Sequence, residues 1–340
     1  MVTDTSTMDA FIRTLPKAEL DVHLEGAMEP DVIMRLSNKH GGVLPYTDAD
    51  DLRAAFQRAP LRGDTATLDQ AIEVLNEADD FRELAAGYLS QARAQGIVHS
   101  EILFEPQRHR ERGIPLATTV TGLGTAVDEA SANGIQARLI LCLLRDRGEA
   151  DALETLEEAA AFPERIQAVA LSAPDGEHSP AMFRRVFERA RELGWPTMAH
   201  PGDAGSPRCI REALDTLATD RLEQGVQCEA DDSLCERLAN ERITLTVSPL
   251  ANVRAGAFAN VGEHNLKRLL DRGVRVTINS HAPAHCGGYL PDNLLRAWQA
   301  LALEPESIKE LVRNSFRGAL LGEQGRQRWL QKVDTVPLPR

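Results

Sequence analysis

Short apolar runs alternate with longer amphipathic segments along the whole chain. The runs lie at 18–24, 96–106, 135–144, 166–173, 196–202, 220–226, 242–250 and 274–283. Most are almost continuously apolar, which is typical of parallel strands that are buried on both faces. Between them, the segments 179–194, 232–241 and 263–274 have apolar residues at helical spacing, and the first ends in Gly194, a helix stop signal.

Eight predicted strands that alternate with helices in a chain of 340 residues predict a (β/α)8 TIM barrel. An open, doubly wound sheet is the structural alternative. No linker, charge block or change of composition divides the chain, so we predict one barrel domain over residues 1–340. The segment 30–95 is too long for one helix. It predicts a helical insertion after the first strand, near the barrel mouth.

Composition narrows the class of protein. The hydrophobic content of 43% and the charged content of 26% are normal for a soluble globular protein. The net charge of −13 disfavours nucleic acid and anionic membranes as partners, because no basic patch offsets the repulsion.

No apolar run reaches the length of about 18 residues that a membrane span needs, and the N-terminus lacks a signal pattern. Five scattered cysteines without a CxxC pair indicate reduced thiols in a cytoplasmic protein. The oligomeric state stays open.

Polar residues at the carboxyl ends of the strands are the candidates for chemistry, because a barrel of this kind carries its active site there. Asp21 and His23 end the first strand in "AELDVHLEGAMEP" and point to the same face, since a strand has a period of two. His200 and His281 end the fifth and eighth strands. Imidazole and carboxylate are zinc ligands, so these four residues form a candidate set for one zinc.

The interpretation as a metal site competes with a plainer one. A single histidine at a strand end is more often a hydrogen-bonded polar residue than a ligand, but three at the same end of a barrel favour a metal. A catalytic zinc lowers the pKa of water to about 7. Asp203, close to His200 in the sequence, would then carry protons.

Four segments carry a resemblance to a known family: "HSEILFEPQRHRERGI" (99–114), "AHPGDAGSPRCIREALDTL" (199–217), "LTVSPLANV" (245–253) and "INSHAPAHCGGYLPDNL" (278–294). Over nearly its whole length the chain resembles the adenosine deaminase family, and within it the bacterial adenine-deaminase-like branch. Members are (β/α)8 enzymes that use one zinc to replace an exocyclic amine of a purine by oxygen. The resemblance therefore implies the barrel, a zinc, and a purine base or nucleoside as substrate.

The resemblance also assigns the ligand positions, two of them with exchanged residue types. The first strand of the family carries His-x-His, where this chain has Asp21 and His23; the third ligand is kept as His200. On strand eight the family has Asp-Asp-Pro, whose first Asp binds zinc, and this chain has His281 and Ala282 there. The set thus remains three histidines and one aspartate.

Other positions of the family differ more. Asp203, in "HPGD", stands for the glutamate that protonates the purine ring, and Gln224, in "RLEQG", stands for the histidine that polarises the attacking water. The resemblance implies that Gln224 orients this water. Ser172 replaces the aspartate of a Leu-Asp-Ser element. Glu25 matches a position that faces the ligand, so Glu25, Ser172 and Ala282 are the candidate substrate contacts.

Three hypotheses follow. In the first, the chain is a zinc-dependent aminohydrolase of an aminated purine or a related heterocycle. Loss of one acid–base group costs about 10²–10⁴-fold, so deamination of adenine or adenosine themselves should be poor or absent. In the second, the barrel is catalytically inert and binds a ligand or a partner. In the third, it is a metal hydrolase whose pocket, reshaped by Ser172, Ala282 and Cys286, takes a different substrate.

Overall fold

The computed structural model describes residues 4–59, 66–172, 179–201 and 206–339. Within these ranges eight parallel strands form one sheet in the order of the sequence. The strands are β1 (Lys17–His23), β2 (Ile97–Phe104), β3 (Gln136–Leu144), β4 (Ile166–Ser172), β5 (Thr197–Ala199), β6 (Arg221–Glu223), β7 (Thr244–Val247) and β8 (Arg275–Ile278). Each overlaps one of the apolar runs, and the predicted barrel is confirmed. A doubly wound sheet would have a strand order that reverses, which this sheet does not have.

Helices connect the strands. In the described ranges they are α1 (Thr5–Thr14), α2 (Pro30–Lys39), α3 (Ala49–Arg58), α4 (Ala66–Ile72), α5 (Ala78–Ala94), α6 (Pro106–Glu111), α7 (Leu116–Ala132), α8 (Gly148–Ala159), α9 (Arg184–Glu192), α10 (Pro207–Glu212), α11 (Asp232–Asn240), α12 (Pro249–Arg254), α13 (Leu266–Asp271), α14 (Pro283–Cys286), α15 (Leu290–Leu301), α16 (Pro305–Gly318) and α17 (Glu323–Thr335). Among these, none is both long and apolar enough to cross a membrane.

Two helices between β1 and β2, α3 and α5, have different surroundings. Helix α5 packs against α7 and β2, on the outside of the barrel. Helix α3 instead contacts α14, which follows β8. Phe56 of α3 stacks on His285 of α14 with ring centroids 3.8 Å apart, and Arg254 donates a hydrogen bond to the backbone oxygen of Ala59, 2.8 Å away. Helix α3 is therefore attached to the segments that follow β7 and β8, at the carboxyl ends of the strands.

Alternate side chains of the strands fill the barrel interior. A small apolar cluster there is formed by Leu103, Ile140, Cys142, Ala168, Ala170 and Met198. Arg221 of β6, which contacts Met198 of this cluster, forms a buried ion pair with Glu101 of β2, at 2.5 Å. Because successive residues of a strand face opposite sides, Glu223 shares the inward face with Arg221. Both inward-facing side chains of β6 are therefore charged.

The barrel closes between β1 and β8 through a short seam. Val22 and His281 form a single parallel bridge. The His23 amide donates to the His281 oxygen at 2.8 Å, and the His281 amide donates to the Asp21 oxygen at 3.0 Å. The side chain of Asn279 extends the seam, since its Oδ1 accepts from the Leu20 amide at 2.8 Å. The backbone that closes the barrel is therefore the backbone that carries three of the candidate ligands.

Candidate metal centre

The structure brings Asp21, His23 and His281 together where the barrel closes. Nδ1 of His281 lies 3.1 Å from Oδ1 of Asp21, and Nε2 of His23 lies 3.8 Å from the same oxygen. One ligand atom of each residue lies within 4.8 Å of the others, a spacing that could hold a metal ion. His281 has a φ of 62°, a left-handed conformation that is uncommon for a residue other than glycine and tends to occur at functional sites.

His23 is held from behind by a carboxylate. Its Nδ1 lies 3.1 Å from Oε1 of Glu105, while its buried Nε2 has no hydrogen-bond partner among the described residues. Ligand histidines in metal sites usually show this pattern, in which one ring nitrogen donates to a carboxylate and the other binds the metal. The orphaned Nε2 therefore fits a cation. Burial alone would lower the pKa of His23, but the hydrogen bond and charge of Glu105 outweigh it and raise that pKa to about 9.

Glu105 is itself paired. Arg108 donates from Nε to its Oε2 at 2.5 Å. Burial raises the pKa of Glu105, but the charge of Arg108 and the hydrogen bond with His23 outweigh this effect and hold the pKa well below the usual range. The carboxylate behind His23 is thus ionised across the physiological pH range.

His200 follows β5 and is buried near the same group, but it lies farther away. Its ring centroid is 6.2 Å from that of His281, and it stands outside the close cluster of Asp21, His23 and His281. Its charge contributes to lowering the pKa of Asp21. His200 therefore faces the centre without joining the cluster.

Gln224 contacts Asp21 and the loop after β7. Its Nε2 donates to Oδ2 of Asp21 at 3.1 Å and to Oγ of Ser248 at 3.4 Å. Its Oε1 accepts from the Ser248 amide at 3.2 Å and from Nδ2 of Asn252 at 2.9 Å. A side-chain amide has two N–H donors and one oxygen with two lone pairs, so this arrangement uses its full capacity. Like His281, Gln224 has a left-handed φ, of 60°.

Asp21 is hydrogen-bonded through both of its carboxylate oxygens. Its Oδ2 also accepts from the hydroxyl of Thr246 at 3.2 Å. Burial raises the pKa of Asp21, but the charge and hydrogen bond of His281, with the charges of His23 and His200, outweigh it and leave the pKa lowered. Asp21 is therefore an anion supported by three hydrogen bonds.

The predicted substrate contacts have different surroundings. Oε1 of buried Glu25 accepts from the Glu105 amide at 3.0 Å and lies 3.1 Å from Nε2 of His109, whereas its Oε2 has no partner among the described residues. Ser172 is the last residue of β4. Ala282 packs so closely on Gly26 that a Cβ at Gly26 would lie 2.5 Å from that of Ala282. Asp203, the predicted acid, lies outside the described residues.

Glu223 is the residue of this centre to which the sequence pattern gave no role. It is 1% exposed, and neither carboxylate oxygen has a hydrogen-bond partner among the described residues. Burial and the charge of Asp21 raise its pKa to about 7, against the opposing charges of His23 and His200. The available signal was the alternation of β6, which places Glu223 on the inward face with Arg221.

Comparison with known proteins identifies the family. The model of the adenosine deaminase family matches residues 16–336. The chain belongs to that family. The adenine deaminase of Streptomyces coelicolor is 41% identical over 328 residues, which cover 96% of each chain, and that of Hahella chejuensis is 37% identical, covering 96% of this chain and 98% of its own. The relatives place the chain in the adenine-deaminase-like branch, as the motifs predicted.

Two solved structures share the fold. The adenine deaminase of Arthrobacter aurescens superimposes with a TM-score of 0.90 at 33% identity, covering 94% of this chain and 98% of its own. An amidohydrolase from Burkholderia ambifaria, solved with bound zinc, has the same TM-score at 23% identity, covering 98% and 95%. The likeness to the second structure shows the fold alone.

Proposed function

We propose that this chain is a zinc-dependent aminohydrolase that replaces the exocyclic amine of an aminated purine, or of a related heterocycle, by oxygen. One observation carries the proposal: Asp21, His23 and His281 converge within 4.8 Å at the mouth of a barrel of the adenosine deaminase family. The orphaned Nε2 of His23 supports a cation at this place. The amine-bearing purine comes from the relatives that are named adenine deaminases.

Within this proposal, Asp21, His23, His200 and His281 surround the zinc, which when bound supplies a nucleophile by lowering the pKa of water to about 7. Asp203 donates the proton to the heterocycle, as the family motif implies. The contacts of Gln224 support a positioning role, since its amide holds Asp21 through Oδ2. The predicted contact of Gln224 with the attacking water stays a prediction.

The substrate is proposed to lie over the carboxyl ends of β1, β4 and β8, between Glu25, Ser172 and Ala282. Oε2 of Glu25, which has no partner among the described residues, is available to accept a hydrogen bond from a ring N–H, because its other oxygen is already engaged by Glu105 and His109. The small side chain at Ala282 offers no charge to the substrate. This favours a neutral heterocycle over one that carries a positively charged substituent.

Ammonia release from a panel of adenine, adenosine and N6-substituted purines tests the proposal. We expect the zinc-loaded protein to release ammonia from at least one of them, and His23→Gln to abolish the release. His40→Gln, a change of a half-buried histidine outside the centre, is the matched control and should keep the activity. A zinc-loaded protein that is silent across the panel contradicts the purine assignment. Release that persists in metal-free protein contradicts the dependence on zinc.

A further inference from the structure

A pocket at the amino-terminal ends of β7 and β8 lies at the opposite end of the barrel from the candidate metal centre. Its volume of about 680 Å³ is within the range of about 300–1,000 Å³ that is usual for small-molecule sites. Its lining includes Arg242 in the turn before β7, Arg275 at the start of β8, and Arg317 in the last turn of α16. We call it the arginine pocket. Because the candidate metal ligands lie at the carboxyl ends of the strands, the arginine pocket is a separate place.

The backbone brings the three arginines together. The ladder of β7 and β8 pairs Arg275 with Thr244, which follows Arg242 by two residues. Asn314 of α16 fixes the third arginine beside them. Its Oδ1 accepts from Nη1 of Arg317 at 2.8 Å, and its Nδ2 donates to the next backbone oxygen of β8 after Arg275, 3.2 Å away. Since these residues are far apart in the chain, no basic run in the sequence reveals the cluster.

The acidic side chains that line the arginine pocket already have cationic partners. Glu306 and Glu310 of α16 both pair with Arg313, at 2.7 Å and 3.2 Å. Glu310 also pairs with Arg317. Asp271 pairs with the lysine four residues before it, at 2.5 Å. The negative charges of the lining are therefore compensated, and so is the charge of Arg317.

Arg242 and Arg275 have no such partner. Neither guanidinium makes a hydrogen bond or an ion pair with a residue that the structure describes. An exposed arginine such as Arg242 is solvated by water, but Arg275 is half-buried. Burial and the charges of Arg317 and Arg242 lower the pKa of Arg275, against the opposing charge of Glu310. Two positive charges thus line one pocket without a counter-charge in contact, in a chain whose net charge is −13.

We propose that the arginine pocket binds a small phosphate-bearing anion through the guanidinium groups of Arg242 and Arg275. A guanidinium presents parallel N–H donors that match two oxygens of a phosphate or a carboxylate. One such pair of donors occupies both oxygens of a carboxylate. A terminal phosphate has three oxygens and nearly two charges, so it can engage both arginines at once. This assignment is independent of the proposed deamination at the other end of the barrel.

Titration calorimetry of the metal-free full chain with pyrophosphate, at constant ionic strength, tests the assignment. A charge-assisted hydrogen bond changes affinity by about 10–100-fold, so Arg242→Gln and Arg275→Gln should each weaken pyrophosphate binding by about that factor. Arg275→Lys keeps the charge but not the paired donors, and it should recover only part of the affinity. Arg184→Gln removes the same charge from an exposed arginine of α9 that pairs with Glu188, and it should bind as the unchanged protein does.

Two further measurements separate this site from the metal centre and from a role in stability. His23→Gln should leave pyrophosphate binding unchanged. Because the arginines repel each other, ligand-free Arg275→Gln should melt at the same temperature as the unchanged protein or higher. Pyrophosphate should raise the melting temperature of the unchanged protein by more than that of the variant, since a ligand that binds the folded state stabilises it.

Several results would overturn the assignment. Pyrophosphate that does not bind the unchanged protein, or an equal loss of affinity in Arg184→Gln and Arg275→Gln, contradicts a site at the arginine pocket. Citrate, a tricarboxylate, is the competing anion, and binding as tight as that of pyrophosphate at the same ionic strength contradicts the selectivity for phosphate. Binding that is lost in His23→Gln but kept in Arg275→Gln would place the anion at the metal centre instead.

Discussion

At the scale of single residues, Asp80 has the most complete set of donors outside the metal centre. Its fully buried carboxylate accepts from Nζ of Lys39 at 2.7 Å and from the backbone amides of Asn76 and Glu77, both at 2.9 Å. Nε2 of His40 lies 2.9 Å from its Oδ2. The group of His40, Glu77 and Asp80 has the composition of a metal site, but the Lys39 ammonium already supplies the positive charge. Asp80 therefore joins the end of α2 to the start of α5.

The pKa of Asp80 predicts a dependence of stability on pH. Burial raises this pKa, but Lys39 and the backbone amides outweigh it and lower the pKa overall. A carboxyl group whose pKa is lower in the folded than in the unfolded chain stabilises the fold above the unfolded value of about 3.9, and this stabilisation is lost as the pH falls below it. We expect Asp80→Asn to lower the free energy of unfolding by about 1.5–3 kcal/mol at pH 7 and by less at pH 3, in urea denaturation.

Asp79 provides the control for this prediction. It is the neighbouring residue of the same helical turn, is largely exposed, and pairs among the described residues with the surface groups of Lys39 and Arg82. Asp79→Asn should change the free energy of unfolding by no more than about 0.5 kcal/mol at either pH. An equal loss for both variants, or a loss at Asp80 that does not shrink in acid, would show that the buried network is not the cause.

At the scale of elements, α5 and α7 pack closely against each other and cover β2 and β3 on the outside of the barrel. Gly122 of α7 faces the start of α5. A Cβ placed on it would lie 2.1 Å from the backbone oxygen of Ala78 and 2.8 Å from Cβ of Phe81. Real side chains do not approach backbone so closely. The absence of a side chain at Gly122 is what allows the two helices to meet.

We expect Gly122→Ala to lower the free energy of unfolding by about 1–3 kcal/mol, because the helices must separate to admit the methyl group. Thermal and urea denaturation measure the effect. Gly87→Ala, in the exposed interior of α5, is the control: its Cβ meets nothing within 4 Å, so better helix propensity should raise stability by up to about 1 kcal/mol. If both alanines stabilise the protein, the close approach at Gly122 is not as the structure places it.

At the scale of the whole molecule, the closure of the barrel and the candidate metal centre are the same place. The seam between β1 and β8 depends on the two backbone hydrogen bonds that join Asp21 and His23 to His281. Other neighbouring strands have longer ladders, such as the six residue pairs between β3 and β4. A cation bound by side chains of β1 and of the segment after β8 would therefore reinforce the shortest strand pairing of the described barrel.

Hydrogen exchange with and without zinc measures this effect. We expect peptides that contain the His23 and His281 amides to exchange more slowly when zinc is bound, by up to about 100-fold at a zinc concentration 100 times the dissociation constant, where binding contributes about 2.7 kcal/mol. Amides of the ladder between β3 and β4 are the internal control and should change less. Equal slowing at both places would contradict a local reinforcement of the seam, and a chelator should reverse the effect.

The hydrophobic pattern along the chain is enough to predict the strands and their order. Parallel strands that are buried on both faces produce continuous apolar runs, so eight such runs separated by amphipathic segments specified a barrel before any contact was known. The motifs at the strand ends specified the family. They also located Asp21, His23 and His281, because the carboxyl ends of parallel strands all lie at one end of a barrel.

How those side chains pair depends on the folded barrel and does not follow from the motifs. The register of strands that are far apart in the sequence decides which carboxylate oxygen of Asp21 faces His281. It also decides whether the side-chain amide of Gln224 is already hydrogen-bonded. Residues 224 and 281 also adopt left-handed conformations, which the sequence pattern does not predict. Glu223 reads in the sequence as one more strand residue. Its carboxylate is unsatisfied because the folded barrel removes it from water, and no donor among the described residues replaces that water.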